Sequence, residues 1–142
     1  MYSPVIITED VAEYRATVPL HVGPSDVVLE VGCAWGTTTA ILARHCRRVV
    51  GVDRGDSLPT ARARHPDLHF EQVDGGDIAA LRALDLPFNK IYLDISGSRE
   101  LPVVIELLQR YDIVFRPELT VVKSNKLKRL FARSSLWGGA NA

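Results

Sequence analysis

Five short runs of apolar and β-branched residues punctuate the chain, at 27–31, 49–53, 68–74, 90–96 and 119–124. The stretches VVLEV, RVVGVD and KIYLDI are apolar almost without interruption. A strand with one wet face alternates polar and apolar residues, whereas a strand covered on both faces does not. These runs therefore predict a parallel sheet buried between helices. Helical segments fill the intervals. One at 37–46 follows a glycine turn directly, and another reaches Arg64 with Pro59 in its first turn and Asp56 or Ser57 as its cap. Asp77 caps IAALRAL, Ser98 caps a segment running to about Arg110, and Thr8 caps a leading helix over 8–17. Strand and helix alternating at this spacing imply right-handed βαβ units and a doubly wound, mostly parallel α/β sheet. After the fifth run only 18 residues remain, enough for one amphipathic helix with Leu127, Leu130 and Phe131 on one side and a glycine-rich end. The sheet is accordingly expected to stop at five strands.

At 142 residues, with no repeat, low-complexity tract or linker, the chain reads as one domain. It divides into a leading helix and entry at 1–24, a core at 25–124 and a basic C-terminal helix and tail at 125–142. No stretch approaches the roughly 20 apolar residues of a membrane span. The start, Met1-Tyr2-Ser3-Pro4, lacks the pattern of a signal peptide. Two cysteines, Cys33 and Cys46, offer no disulfide framework and point to a reducing, cytoplasmic setting. His21, His45, His65 and His69 have no metal-ligand spacing, so no metal site is expected. Formal net charge is zero but uneven. The last 20 residues hold five basic groups and no acidic one, while the preceding 122 hold 12 basic and 17 acidic. A basic tail on an acidic body admits contact with RNA, or else forms a solvated helix face. Trp137 in that tail is expected to serve packing.

The turn EVGCAWG after the first run is the natural ligand site, because open α/β sheets bind ligands beyond the carboxyl ends of their strands. Gly32 allows a sharp turn, Ala34 and Gly36 keep its wall low, and Cys33 adds only a small side chain. A dinucleotide fingerprint requires G-x-G-x-x-G, but here the pattern is Gly32-x-Ala34-x-Gly36, with Thr37 where the third glycine would stand. Glu30, two residues before Gly32, repels a pyrophosphate and suits an ammonium group. Asp53 ends the second run, where a carboxylate accepts both hydroxyls of a ribose. Asp74 ends the third, before Gly75 and Gly76, where it can accept the amine of an adenine. Trp35 stands beside the site as a shield.

VVLEVGCAWGTTTAIL, RVVGVDRG, FEQVDGGDI, FNKIYLDISGS and YDIVFRPELTVVKS together resemble the successive motifs of class I S-adenosylmethionine-dependent methyltransferases, which have a Rossmann-like fold. The resemblance spans 25–124. It implies that the turn from Glu30 through Gly32, Cys33, Ala34, Trp35 and Gly36 holds the methionine moiety. It likewise implies that Asp53 holds the ribose, Asp74 and Gly75 the adenine, and that Arg54 flanks that base. Ala34 replaces the family's commoner glycine, and FRPEL stands in place of LKPGG. The resemblance further implies that the chain lacks the last strand pair of full-length relatives.

Methyl transfer asks little of the protein beyond in-line approach and an acceptor lone pair. Asp94 and Lys123, ending the fourth and fifth runs, resemble the aspartate–lysine pair of FtsJ-like RNA 2′-O-methyltransferases, with Asp94 also at the edge of the cofactor site. In that family the lysine lowers the acceptor's pKa and the carboxylate orients the lysine. The resemblance is partial: no lysine precedes the first motif, where Arg15 is the only cation, and no glutamate follows Lys123. The reading is thus a methyltransferase using S-adenosylmethionine on a small molecule or RNA. Its alternatives are a cofactor-binding scaffold without turnover or a partner-completed subunit, and less favourably an NAD-binding domain.

Overall fold

The computed structural model describes residues 2–139, so the expectations for Met1 and for 140–142 lie outside the described residues. Six parallel strands form one sheet: β1 (Val5–Thr8), β2 (Val27–Val31), β3 (Arg48–Asp53), β4 (His69–Gln72), β5 (Lys90–Leu93) and β6 (Leu119–Lys123), in the order β1-β6-β5-β2-β3-β4. The helices are α1 (Val11–Ala16), α2 (Val18–His21), α3 (Thr37–Ala43), α4 (Leu58–Arg64), α5 (Ile78–Ala83), α6 (Leu101–Phe115) and α7 (Asn125–Ala132). Among the described residues no helix is long and apolar enough to cross a membrane.

The unbroken apolar runs have the predicted cause. Leu29, Val31, Val50, Val52, Ile91, Leu93 and Val122 face α5, α6 and α7, packing on Leu81, Val104, Leu107, Tyr111 and Leu127. The alternate positions Val28, Val49, Tyr92 and Val121 face α1, α2 and α3, packing on Tyr14, Val18 and Leu42. Period-two geometry therefore directs Glu30 to the second face, with Val28. At the far end of the strands Asp26 accepts from the Gly23 amide, the Asn89 amide group at 2.8 Å and the Lys90 ammonium at 2.9 Å. Asn89 in turn accepts from the Val27 amide at 2.8 Å, which pins the register of β2 against β5.

The sheet has six strands, where five were expected. VIIT at the start is a β-branched run that pairs with β6, Val5 opposite Thr120 and Thr8 opposite Lys123. It takes the sheet edge beyond β6. Thr8 belongs to this strand and does not cap a helix: its hydroxyl donates to the Val122 carbonyl at 2.9 Å. Asp10 caps α1 instead, accepting from the Glu13 amide at 2.9 Å, while the Glu13 carboxylate accepts from the Glu9 amide. The leading helix also breaks in two, α2 starting afresh with Pro19 in its first turn. Glu100, and not Ser98, occupies the N-cap of α6, and that helix continues past Arg110 to Phe115 because its apolar stripe does. It stops where Arg116 turns left-handed and Pro117 follows.

The C-terminal segment differs from expectation in two places. Only Leu127 of the apolar trio is buried, with Phe131 57% exposed. Trp137 is 85% exposed and does not pack into the core. The cations of this segment mostly face carboxylates of the same chain: Lys126 pairs with Glu100, Lys128 with Glu13 and Arg129 with Glu9.

Gly75 carries a sharp packing constraint. A Cβ there would lie 2.7 Å from Val31 Cγ1 and 2.8 Å from the Tyr111 hydroxyl oxygen, both on fully buried side chains. The Tyr111 hydroxyl donates to the Gly75 carbonyl at 2.5 Å, locking α6 to the turn after β4. Gly75→Ala is expected to lower stability by about 1–3 kcal/mol in urea unfolding, whereas Gly97→Ala, where a Cβ meets nothing within 4 Å, should leave it nearly unchanged.

Candidate functional site

The chain runs β2, β3, β4 outward on one side and β5, β6 outward on the other, so the order reverses between β2 and β5. A crevice forms where the turns after these two strands separate. Gly32 leaves β2 with φ +87°, and a Cβ on it would lie 1.9 Å from the Asp94 carbonyl oxygen. Only glycine permits that crossing. The Gly32 and Cys33 amides both donate to the Val52 carbonyl, and Gly36, at φ +83°, closes the turn with its amide on the Cys33 carbonyl. Ala34, where the resemblance expects glycine, holds φ +46° in the left-handed region. Its amide donates to Asp53 Oδ2 at 2.9 Å, which secures a conformation that L-residues otherwise avoid.

Asp53 joins two turns, since its Oδ1 accepts from the Gly55 amide at 2.8 Å. The carboxylate thus occupies an amide that a pyrophosphate would need, and places negative charge at the mouth of the turn. Asp74 lies across the crevice. It accepts from the Gly76 amide at 2.7 Å and from Arg99 at 2.5 Å, with Arg54 at 3.8 Å. The Gly76 amide and the two guanidinium groups hold its carboxyl below the usual range, against a partial desolvation. Arg54 also reaches the Ser98 carbonyl at 3.4 Å, so it spans the cleft beside Asp74. Asp53, Arg54, Asp74, Gly75, Asp94 and Arg99 line one cleft of about 220 Å³. The space beside Gly75 is taken by Val31 and Tyr111, so its missing Cβ serves packing as much as access.

A smaller recess adjoins that cleft at Gly32 and Asp94, and is lined by Arg15, Glu30, Cys33, Ala34, Trp35 and Thr38 among others. Glu30 sits at its base, 1% exposed. Thr39 donates to Glu30 Oε1 at 2.5 Å and Tyr14 to Oε2 at 3.3 Å, so helices from both sides of the turn converge on one carboxyl. Burial pushes its pKa up to about 7; the Thr39 hydroxyl opposes this and the charge of Asp94 adds to it. Cys33 is buried on Leu58, Ala61 and Phe70, and burial raises its thiol pKa far enough to make it inert. Trp35 is exposed on the rim, with the Arg64 guanidinium 4.9 Å from its ring centre. Among the described residues no three His, Cys, Asp or Glu side chains converge as a metal site.

Asp94 and Lys123 meet as the strand-end reading expected. The ammonium lies 3.0 Å from Asp94 Oδ1, both groups roughly three-quarters buried. Burial raises the Asp94 pKa and Lys123 counteracts it. Lys123 opens onto a third cleft, of about 400 Å³, with Ser96, Arg99, Asn125 and Lys126 on its walls. The structure thus places Asp53, Arg54, Asp74, Gly75 and Asp94 along the cleft and Glu30, Gly32, Cys33, Ala34 and Trp35 along its recess. Gly36 closes the turn and Lys123 lies on the third cleft, and the structure adds Tyr14, Arg15, Thr38, Thr39 and Arg99. Tertiary packing alone places these five; Arg15 had shown itself only as the lone cation before the turn.

Comparison with known proteins points to one family. Residues 29–125 match the family described as methyltransferase domain. A protein-L-isoaspartate O-methyltransferase of Parvibaculum lavamentivorans is 33% identical over 104 residues, covering 71% of this chain and 47% of its own. The chain therefore spans about half the length of that relative. A probable cobalt-precorrin-6B C(15)-methyltransferase (decarboxylating) of Methanocaldococcus jannaschii is 28% identical over 128 residues, covering 87% of this chain and 68% of its own. The crystal structure of a precorrin 8w decarboxylase from Methanobacterium thermoautotrophicum superposes with a TM-score of 0.58 at 25% identity, again covering 87% and 68%.

Glu30 generates a pH prediction. With a folded pKa near 7 against 4.5, the folded state keeps a proton that the unfolded chain has released, so Glu30 subtracts stability as pH rises through that window. Glu30→Gln removes the dependence. The stability of Glu30→Gln relative to the parent should rise by on the order of 3 kcal/mol between pH 4.5 and 8, read by urea unfolding. A difference that stays flat across this range would show that folding leaves the Glu30 pKa unshifted.

Proposed function

The chain belongs to the methyltransferase domain family, and we propose that it binds S-adenosylmethionine beyond the ends of β2 to β5 and passes the methyl group to a small-molecule acceptor. The observation that carries this reading is the series of carboxyl groups along the crevice and its adjoining recess: Glu30 one residue before the end of β2, Asp53 at the end of β3 and Asp74 two residues past the end of β4. They match in order an ammonium, a ribose diol and an amino-purine. Each oxygen of Asp53 holds one backbone amide, and a carboxylate oxygen has a second lone pair free for a ribose hydroxyl. Asp74, held in place by Arg99 and the Gly76 amide, faces the adenine, and Arg54 flanks the base. An NAD reading is disfavoured because Asp53 occupies the turn amide that a pyrophosphate requires.

When bound, the cofactor supplies an electrophilic methyl group on a sulfonium. The chain's own part is orientation and proton management. Lys123, beside Asp94, favours loss of a proton from an acceptor O–H or N–H, and Asp94 fixes the direction of the ammonium. The cleft beyond Lys123 suits a small molecule in size. RNA is the weaker choice, since Lys126, Lys128 and Arg129 already face Glu100, Glu13 and Glu9.

Calorimetry with S-adenosylhomocysteine should show binding, with NAD giving none. Asp53→Ala should weaken the first at least about tenfold, consistent with loss of charge-assisted hydrogen bonds. Labelled methyl from S-adenosylmethionine is expected in the small-molecule fraction of a cell extract, and Lys123→Ala should slow transfer about a hundredfold with cofactor affinity unchanged. Label in RNA alone would overturn the acceptor class. Cofactor binding without any transfer would identify a scaffold.

A further inference from the structure

The cations around the crevice are not equivalent. Arg54 and Arg99 are committed to Asp74, and Lys123 to Asp94. Arg15 differs: among the described residues no carboxylate lies within 4.0 Å of it. It projects from α1 into the recess that contains Glu30, Gly32, Thr38 and Asp94. Its Nε donates to the hydroxyl of buried Thr38 at 3.0 Å, which fixes the plane of the guanidinium. That bond uses one of five N–H donors and leaves both terminal amino groups without a hydrogen-bond partner among the described residues.

The recess therefore presents two carboxyl groups, Glu30 and Asp94, and one oriented guanidinium with free donors. Glu30 and Asp94 also lie close enough to feel the charge of Arg15, which favours their ionised forms. Such a set complements a zwitterion, an ammonium on the acidic side and a carboxylate on the guanidinium. Arginine is suited to the second task because its planar fork meets a carboxylate with two parallel hydrogen bonds.

We propose that Arg15 holds the carboxylate of the cofactor's amino-acid end and makes the site selective for nucleosides that carry it. This rests on the cofactor assignment above and extends it to a residue outside the motif turn, supplied by a helix before the first βα unit. The fixing bond to Thr38 means that binding need not order a loose side chain, so the charge-assisted contact is realised with little entropic loss.

Three ligands separate the parts of the contact by calorimetry. S-adenosylhomocysteine carries carboxylate and ammonium. Its decarboxylated analogue, 5′-(3-aminopropylthio)-5′-deoxyadenosine, keeps only the ammonium. 5′-Methylthioadenosine has neither. Arg15→Ala is expected to weaken S-adenosylhomocysteine at least about tenfold and to change the other two less than twofold. Arg15→Lys should recover part of the loss, as a charge without the fork, and the chemical denaturation midpoints of all three proteins should coincide. Equal weakening of all three ligands, or unchanged affinity for S-adenosylhomocysteine, would overturn the proposal. If the parent protein binds none of the three, the cofactor assignment itself fails and takes this proposal with it.

Discussion

Everything at the ligand end of this domain depends on a backbone crossing at Gly32. The turn after β2 passes so close to the Asp94 carbonyl that a single methyl would collide with it. That contact joins the ends of two strands belonging to opposite halves of the sheet, and it does so at the point where strand order reverses. The main chain then folds back over β3, with two turn amides on the Val52 carbonyl. Asp53, next in sequence to Val52, is thereby carried to within hydrogen-bond distance of Ala34. One steric allowance fixes three acidic residues relative to each other: Glu30 before the turn, Asp94 beneath it and Asp53 across from it.

Holding carboxyl groups this close has an electrostatic consequence. Burial raises the proton affinity of Glu30 and of Asp94, and a neighbouring carboxylate adds to each, Asp94 for Glu30 and Asp53 for Asp94. The fold answers with specific partners, hydroxyls from Tyr14 and Thr39 for one and an ammonium from Lys123 for the other. No such ammonium is provided for Glu30. A buried acid left with hydroxyl donors alone is poised between its two forms near neutral pH, and a cationic group entering the recess shifts it to the charged one. An entering cation would thus offset the burial of Glu30, which has no ion-pair partner among the described residues.

Much of this was legible in the chain because buried parallel strands announce themselves by continuous apolar runs, and because strand-end acids stand at fixed offsets from those runs. Asp53 and the Asp94–Lys123 pair follow from that rule. What escaped was set by partners distant in sequence. VIIT is too short to read as a strand without β6 beside it, so Thr8, a residue type common at helix caps, reads as one. Ser98 misled in the same way, since a serine before an apolar stripe is a cap only if the backbone reaches it. Arg99 carried no periodic signal, and its role appears only once the loop after β5 lies against Asp74. Trp137 reads as a packing residue because large apolar side chains usually are, and Phe131 shares a side with Leu127, but α7 buries a single narrow edge.

The N-terminal segment deserves weight for the same physical reason. Within the 11 residues from Val5 to Arg15 it completes the sheet at Val5–Thr8, supplies Tyr14 to the buried acid and delivers Arg15 to the recess. It is also the counterpart of the basic C-terminal helix, through Glu9 with Arg129 and Glu13 with Lys128. Each surface pair contributes little alone, yet both act between the same two elements, α7 and the start of α1, where β1 already joins β6. Charge that looked available for a polyanion is spent on setting the position of α1. Because Lys123 ends β6, Ser124 caps α7 and Arg15 lies on α1, the placement of this one helix bears on the separation between the Lys123 ammonium and the Arg15 guanidinium. The basic segment therefore acts from within the fold, against the elements that wall the recess.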